Sequence, residues 1–123
     1  MRLAAALLLT ALPAAAAERT TVDIACIPGG GRLAYDCTII VRDARTQAPI
    51  NHVDIVVEAA TSTTDRGLPP TRAPAAGGPG TYRLRLTLPA HGDWTLRLRL
   101  SGAVNDLISE RLRFEEARPA QRR

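Results

Sequence analysis

Lysine is absent from this chain of 123 residues, and methionine, histidine, cysteine and aromatic residues are all scarce. The only methionine is Met1. If the first residues are removed after synthesis, the remaining chain has no thioether sulfur that could bind Cu(I). There are two histidines and two cysteines in the whole sequence. These numbers exclude every metal site that needs a large set of imidazole or sulfur ligands.

Sequence motifs of the common enzyme classes are also missing. No serine stands in a Gly-x-Ser-x-Gly nucleophile elbow. The glycine run that begins at Pro28 is not followed by the Lys-Ser/Thr pair of a phosphate-binding loop, so it is typical of a turn. We therefore predict that the protein is not an enzyme.

The longest apolar run lies at the amino end. Arg2, the apolar residues 3–12 and the alanines before Glu18 have the three parts of a secretory signal peptide, which predicts cleavage after residue 17. The run is shorter than the roughly 20 residues that a membrane-spanning helix needs, and no later segment approaches that length. We expect a periplasmic or secreted protein with one domain at residues 18–114, a flexible charged tail at 115–123 and no transmembrane segment.

All sixteen residues counted as basic are arginine, so the positive charge comes from one residue type. Loss of Arg2 with the signal peptide lowers the formal net charge of +4 by one. So mild an excess is not typical of a nucleic-acid-binding protein, and export makes such a partner less suitable still. We expect no nucleic acid among the partners.

Both cysteines, Cys26 and Cys37, follow the predicted cleavage site. In an oxidising compartment disulfides persist, so we predict that the two pair and tie the first strand to the second. Two buried free thiols are the alternative. A shared metal ion is less suitable, because the spacing is far from Cys-x-x-Cys.

Strict alternation of apolar and polar residues marks the strands. The clearest case is residues 81–100, TYRLRLTLPAHGDWTLRLRL, which predicts a β-hairpin of residues 82–88 and 94–100 with Trp94 as a core anchor. Similar patterns predict strands at residues 20–26, 35–41, 52–60 and 107–114, and residues 61–80 read as a long loop with room for a short edge strand. This order predicts an all-β fold, an immunoglobulin-like β-sandwich of six or seven antiparallel strands. A small closed barrel is the alternative.

The polar side of the predicted hairpin is rich in arginine. Pairing Leu88 with Trp94 sets Arg85 opposite Arg97 and Arg83 opposite Arg99, and like charges in these positions are destabilising. If the last strand joins the same sheet, Arg111 and Arg113 enlarge the face. Because arginine binds carboxylates and phosphates through two parallel hydrogen bonds, the face predicts an acidic envelope protein or an anionic surface as partner. The alternative is an ordinary solvated surface.

A metal site is a competing prediction. His52 and His91 are the only imidazoles, and Asp93 or Asp54 offers a carboxylate oxygen. Nitrogen and oxygen ligands suit Cu(II) better than Cu(I). The alternative is that His91 is a turn residue and that His52 marks the start of a strand.

The order of several short motifs resembles the YtkA-like and FixH-like family of small exported β-sandwich domains. The matching parts are the corner at residues 43–50, the Val-x-Ile-x-Val strand at 53–57, Pro-Gly-Thr-Tyr at 79–82 and His-Gly-Asp-Trp at 91–94. The resemblance implies a role near copper handling or cytochrome oxidase assembly. Many members of the family carry methionine or histidine in the loop that corresponds to residues 61–80, and this chain has neither there.

These observations together predict an exported accessory or binding domain that contacts an envelope protein. The alternative is a direct Cu(II) carrier that uses His91 and His52. A third possibility is a structural module that meets its partner through residues 61–80. No cofactor is expected, apart from copper under the carrier hypothesis.

Overall fold

The structure is a computed structural model and describes residues 20–61, 67–116 and 118–122. Within these ranges the chain forms strands and no helix. The strands are β1 (Thr20–Pro28), β2 (Ala34–Asp43), β3 (Val53–Ala60), β4 (Leu68–Arg72), β5 (Thr81–Thr87), β6 (Gly92–Gly102), β7 (Asp106–Phe114) and β8 (Gln121–Arg122). The predicted signal peptide lies outside the described residues.

Two antiparallel sheets pack face to face around one core. One sheet has the order β1-β2-β5, and the other has the order β4-β3-β6-β7-β8. The first, second and fifth strands therefore oppose the third, sixth and seventh, which is the arrangement of immunoglobulin-like sandwiches. The inward residues of both sheets form one apolar cluster, in which Val41, Ile55, Leu98 and Phe114 are fully buried. The prediction of an all-β sandwich is confirmed.

The predicted hairpin is wrong, because β5 and β6 belong to different sheets. β5 pairs with β2, where Tyr35 lies across from Leu86. β6 lies between β3 and β7, so that Leu98 has Val57 on one side and Ile108 on the other. Residues 88–91 cross from one sheet to the other. The leucines of the two strands thus face each other across the core, which buries them as well as side-by-side pairing would.

The predicted disulfide is present. Cys26 and Cys37 are directly opposite each other on β1 and β2, with their Cα atoms 4.0 Å apart, and both are about 1% exposed. The bond closes the turn that the glycine run forms, where the Gly29 amide donates to the Ala34 carbonyl at 2.8 Å. It joins neighbouring strands of one sheet, unlike the inter-sheet disulfide of antibody domains.

One side of the sandwich is closed by the segment that follows β4. β4 pairs with β3 as an edge strand inside the predicted loop. Residues 62–66 of that loop are not among the described residues. The Ala73 amide then donates to Ile55 of the five-stranded sheet at 2.9 Å. The Arg83 amide of the other sheet donates to the Pro74 carbonyl at 3.0 Å. Backbone hydrogen bonds therefore connect this segment to both sheets.

The opposite side is closed by the carboxy-terminal segment. The Ala120 amide donates to the Cys26 carbonyl at 2.8 Å, and β8 pairs with Leu112 and Arg113 of β7. Residues 120–122 therefore contact both sheets, as residues 73–76 do on the other side. The flexibility of residues 115–123 stays a prediction. The contacts of residues 120–122 with both sheets do not follow from the sequence pattern.

Candidate interaction surface

The six arginines of the predicted partner face lie on two different surfaces. Arg83 and Arg85 point outward from the three-stranded sheet. Arg97 and Arg99 on β6, with Arg111 and Arg113 on β7, point outward from the five-stranded sheet. Because the inner faces of the sheets share one core, their outer faces point away from each other. A single face of six arginines does not form, and its division follows directly from the separation of β5 and β6.

Two of the six arginines have carboxylate partners. Arg85 lies 3.1 Å from Asp36, its cross-strand neighbour on β2. Arg113 lies 3.2 Å from Asp93 and 3.1 Å from Glu115. Its hydrogen bond to Glu115, together with the charge of Asp93 and a hydrogen bond to it, raises the pKa of Arg113 above the usual value for arginine. Both guanidinium groups are therefore already engaged within the chain.

Arg97, Arg99 and Arg111 make no ion pair with any residue that the structure describes; we call these three residues the arginine patch. Arg97 and Arg99 are two residues apart on β6, a spacing of about 7 Å along a strand. Arg97 lies across from Ser109, so Arg111 is its diagonal neighbour on β7, about 7–8 Å away. Arg97 is therefore a close neighbour of both Arg99 and Arg111 on one exposed sheet surface, whereas Arg99 and Arg111 lie about 14 Å or more apart.

The surroundings of the arginine patch contain three carboxylates and an apolar area. Asp54 is the diagonal neighbour of Arg99 and lies 3.9 Å from Arg72, and Asp93 is the diagonal neighbour of Arg111 and is paired with Arg113. Glu58 lies across from Arg97 on β3, although no ion pair joins the two side chains. Arg99 lies between Val56, which is half-buried, and Leu107, which is 52% exposed. Sequence analysis did not single out Leu107, yet the alternation that turns Ile108 inward also turns Leu107 outward. The patch thus combines positive charge with exposed hydrocarbon.

This arrangement is suited to binding carboxylates. Arg97 is repelled by the like charges of Arg99 and Arg111 on its two sides, and screening in water reduces that cost without removing it. A ligand that brings negative charge relieves the repulsion. Each planar guanidinium can donate two parallel hydrogen bonds to a carboxylate, while Leu107 and Val56 offer apolar contact.

The predicted metal ligands lie apart. His91 immediately precedes β6, whereas the carbonyl of His52 accepts a hydrogen bond from Ala103, just beyond the other end of β6. A strand of this length spans roughly 30 Å, so the two imidazoles cannot bind one ion together within this chain. Asp93 is near His91 but is paired with Arg113, and Asp54 is near His52 and lies 3.9 Å from Arg72. The described residues contain no cluster of three or more potential metal ligands.

The end of the sandwich near His91 holds a shallow cleft of about 340 Å³, lined by Arg32, Tyr35, His91 and Glu116 among others. The rings of Tyr35 and His91 meet edge to face with centroids 6.4 Å apart. Trp94, the predicted core anchor, is 2% exposed, and its indole Nε1 donates to the Ala90 carbonyl at 3.1 Å. These contacts hold the crossing between the sheets, and they bring no nucleophile and base together.

Comparison with known proteins finds no matching family model, no matching curated protein and no matching solved structure. The resemblance to the YtkA-like and FixH-like domains therefore stays a prediction. The described part of the chain has no helix suited to crossing a membrane.

Proposed function

We propose that this protein is an exported, non-enzymatic binding domain that contacts an acidic envelope protein through the arginine patch. The observation that carries the proposal is the group of three arginines that make no ion pair with the described residues and lie beside the exposed Leu107 on one sheet face. The family resemblance supports copper handling or oxidase assembly as the setting of that contact.

Export is supported by two independent features. The first residues have the charge, apolar stretch and small residues of a signal peptide. The disulfide between Cys26 and Cys37 is of a kind that persists in oxidising compartments. Both features are consistent with a function outside the cytoplasm.

A protein partner is favoured over a purely anionic surface by the apolar neighbours of the arginine patch. Leu107 and Val56 lie next to Arg99. If the arginine patch bound lipid headgroups or simple anions, these two apolar side chains would remain in contact with water. A protein segment can supply carboxylates for the arginines and apolar side chains for Leu107 at the same time. Such mixed contacts, with arginine prominent, are typical of protein interfaces.

Binding of a labelled polyglutamate peptide tests the electrostatic part of the proposal. The variant Arg97→Gln/Arg99→Gln/Arg111→Gln should lose at least about tenfold in affinity, which is about 1.4 kcal/mol. The matched control is Arg32→Gln/Arg45→Gln/Arg83→Gln, which removes the same charge from exposed positions elsewhere. The control should bind within about twofold of the unmodified protein if the arginine patch is the site. Equal losses in both variants would show that only net charge matters and would overturn the proposal.

A further inference from the structure

The outer margin of β7 is covered only in part. β7 pairs with β6 from Asp106 to Phe114, but on its other side β8 pairs only with Leu112 and Arg113. Residues 106–111 therefore have no strand beside them among the residues that the structure describes. Half of the N–H and C=O groups of such an edge point away from the sheet and can pair with another strand. The Leu107 amide already donates to the Asp106 carboxylate at 2.8 Å, so it would have to exchange that partner if it faces the added strand.

The opposite margin of the same sheet is protected against pairing. There the edge strand is β4, which contains Pro69 and Pro70 and has an irregular register with β3. Proline lacks an N–H group, and irregular edges prevent the approach of another strand. Residues 106–111 contain no proline, pair with β6 in continuous register and include Leu107 and Ile108. The two edges of the sheet thus differ in their capacity to accept a strand.

We propose that residues 106–111 of β7 bind an extended segment of the acidic partner as an added strand. This inference rests on the proposed function and adds the binding mode. Outward side chains of the added strand lie next to Leu107, Ser109 and Arg111, so an acidic residue there meets Arg111, with Arg97 one strand further in. Backbone hydrogen bonds supply affinity, and the arginine patch supplies the preference for acidic residues.

The inner side of this edge has one apolar position, Ile108, which lies between Asp106 and Glu110. The carboxylate of Glu110 is paired with Arg122, and that of Asp106 accepts the Leu107 amide. Ile108 points toward the core and is only partly buried, although it packs against the core cluster. An inward side chain of the added strand would cover Ile108 and extend the core. The partner segment therefore carries acidic residues on its outward side and an apolar residue where it faces Ile108.

A second copy of this chain is a poorer occupant of the edge. Antiparallel pairing of two β7 strands about Ser109 would place both arginine patches on one continuous sheet face. Arg111 of each copy would then lie opposite Leu107 of the other, with no carboxylate supplied to either patch. Charge complementarity instead favours a partner that brings carboxylates.

The test uses a short labelled peptide in which glutamate alternates with valine, together with two backbone N-methylated forms. In one form the methyl groups replace the N–H hydrogens of every second residue, and in the other form they replace those of the remaining residues. In an added strand only one of these sets points toward β7. We expect one form to bind at least about tenfold more weakly than the parent and the other to bind within about twofold. Backbone amide NMR shifts should be largest at residues 106–111.

The outcomes separate this inference from the proposed function. Equal binding of both methylated forms, with loss of binding in Arg97→Gln/Arg99→Gln/Arg111→Gln, would overturn strand addition and leave the proposed function intact. Failure of both this peptide and polyglutamate to bind would overturn both. If the protein forms dimers without peptide and residues 106–111 lie in the dimer interface, the edge binds a second copy of the chain. That result would overturn the inference.

Discussion

Arg122 places its Nε atom 2.9 Å from Oε1 of Glu110, and its Nη1 atom lies 3.8 Å from Asp23 on the other sheet. Glu110 points inward from β7, and its side chain is only 21% exposed. The contact is an ion pair without hydrogen-bond geometry, since no described donor is aimed at this buried oxygen. The carboxy-terminal segment therefore compensates a half-buried charge and joins the two sheets.

Replacing Arg122 should destabilise the fold. Arg122→Gln leaves Glu110 without its counter-charge, and we expect a loss of about 1 kcal/mol in the free energy of unfolding. Urea unfolding at neutral pH measures the change. Arg118→Gln is the matched control, because Arg118 pairs with Glu115 while its side chain is 68% exposed, and it should change stability much less. Strict additivity of Glu110→Gln and Arg122→Gln in a double-mutant cycle would contradict the proposed coupling.

The strands could be predicted from the sequence, but their partners could not. Alternation identifies a strand and its buried face, as it does for β5 and β6. It does not distinguish a hairpin from two strands that oppose each other across a core, because both arrangements bury the same leucines. The predicted hairpin set Arg85 opposite Arg97. That electrostatic cost was the physical sign of a different pairing, in which Arg85 forms an ion pair with Asp36 and Arg97 lies across from Glu58 without an ion pair.

The arginine patch could be predicted only in part for the same reason. The outward positions of Arg97, Arg99 and Arg111 follow from alternation, but their separation from Arg83 and Arg85 depends on which sheet each strand joins. The docking of residues 120–122 depends on contacts made across long stretches of sequence, such as Ala120 with Cys26. No local pattern in the tail encodes those contacts.

Loss of the disulfide should cost more than loss of the Arg122 ion pair. The bond closes a short loop with a sequence separation of 11, for which chain entropy predicts about 2–3 kcal/mol. Cys26→Ala/Cys37→Ala should lower the urea midpoint by a corresponding amount. Adding reductant should then affect the unmodified protein but not the variant. If the variant and the oxidised protein unfold at the same midpoint, the bond is not a source of stability.

Trp94 should be the most sensitive single core position. It is 2% exposed, and removal of so large a buried side chain costs about 3–5 kcal/mol. Trp94→Ala should therefore unfold at a much lower denaturant concentration than the unmodified protein. Trp94→Phe keeps much of the apolar contact but loses the hydrogen bond to Ala90, so its loss should be smaller. Equal losses in the two variants would show that the hydrogen bond, and not packing, dominates.

Alkaline pH should weaken the fold through Tyr35. Burial, with smaller contributions from the negative charges of Glu115 and Glu116, raises the pKa of Tyr35 above its ordinary value of 10.0. Its hydroxyl donates to the Glu115 carbonyl, and its ring meets Phe114 edge to face with centroids 4.8 Å apart. Above pH 10 the unfolded chain releases this proton before the folded protein does. Stability that Tyr35 contributes at lower pH is therefore lost as the pH rises from about 10 through the raised pKa of the folded state.

The absence of lysine makes this pH dependence measurable, because no lysine side chain titrates in the same range. Urea unfolding from pH 8 to pH 11 should show the free energy of unfolding falling above pH 10, by at most about 1.4 kcal/mol per pH unit for one group. Tyr35→Phe cannot ionise at this position, so its curve should fall less steeply, although loss of the hydrogen bond to Glu115 lowers its stability at every pH. Contributions of all other groups cancel in the comparison of slopes. Parallel curves for the two proteins would mean that Tyr35 titrates equally in the folded and unfolded states, which would contradict the raised pKa.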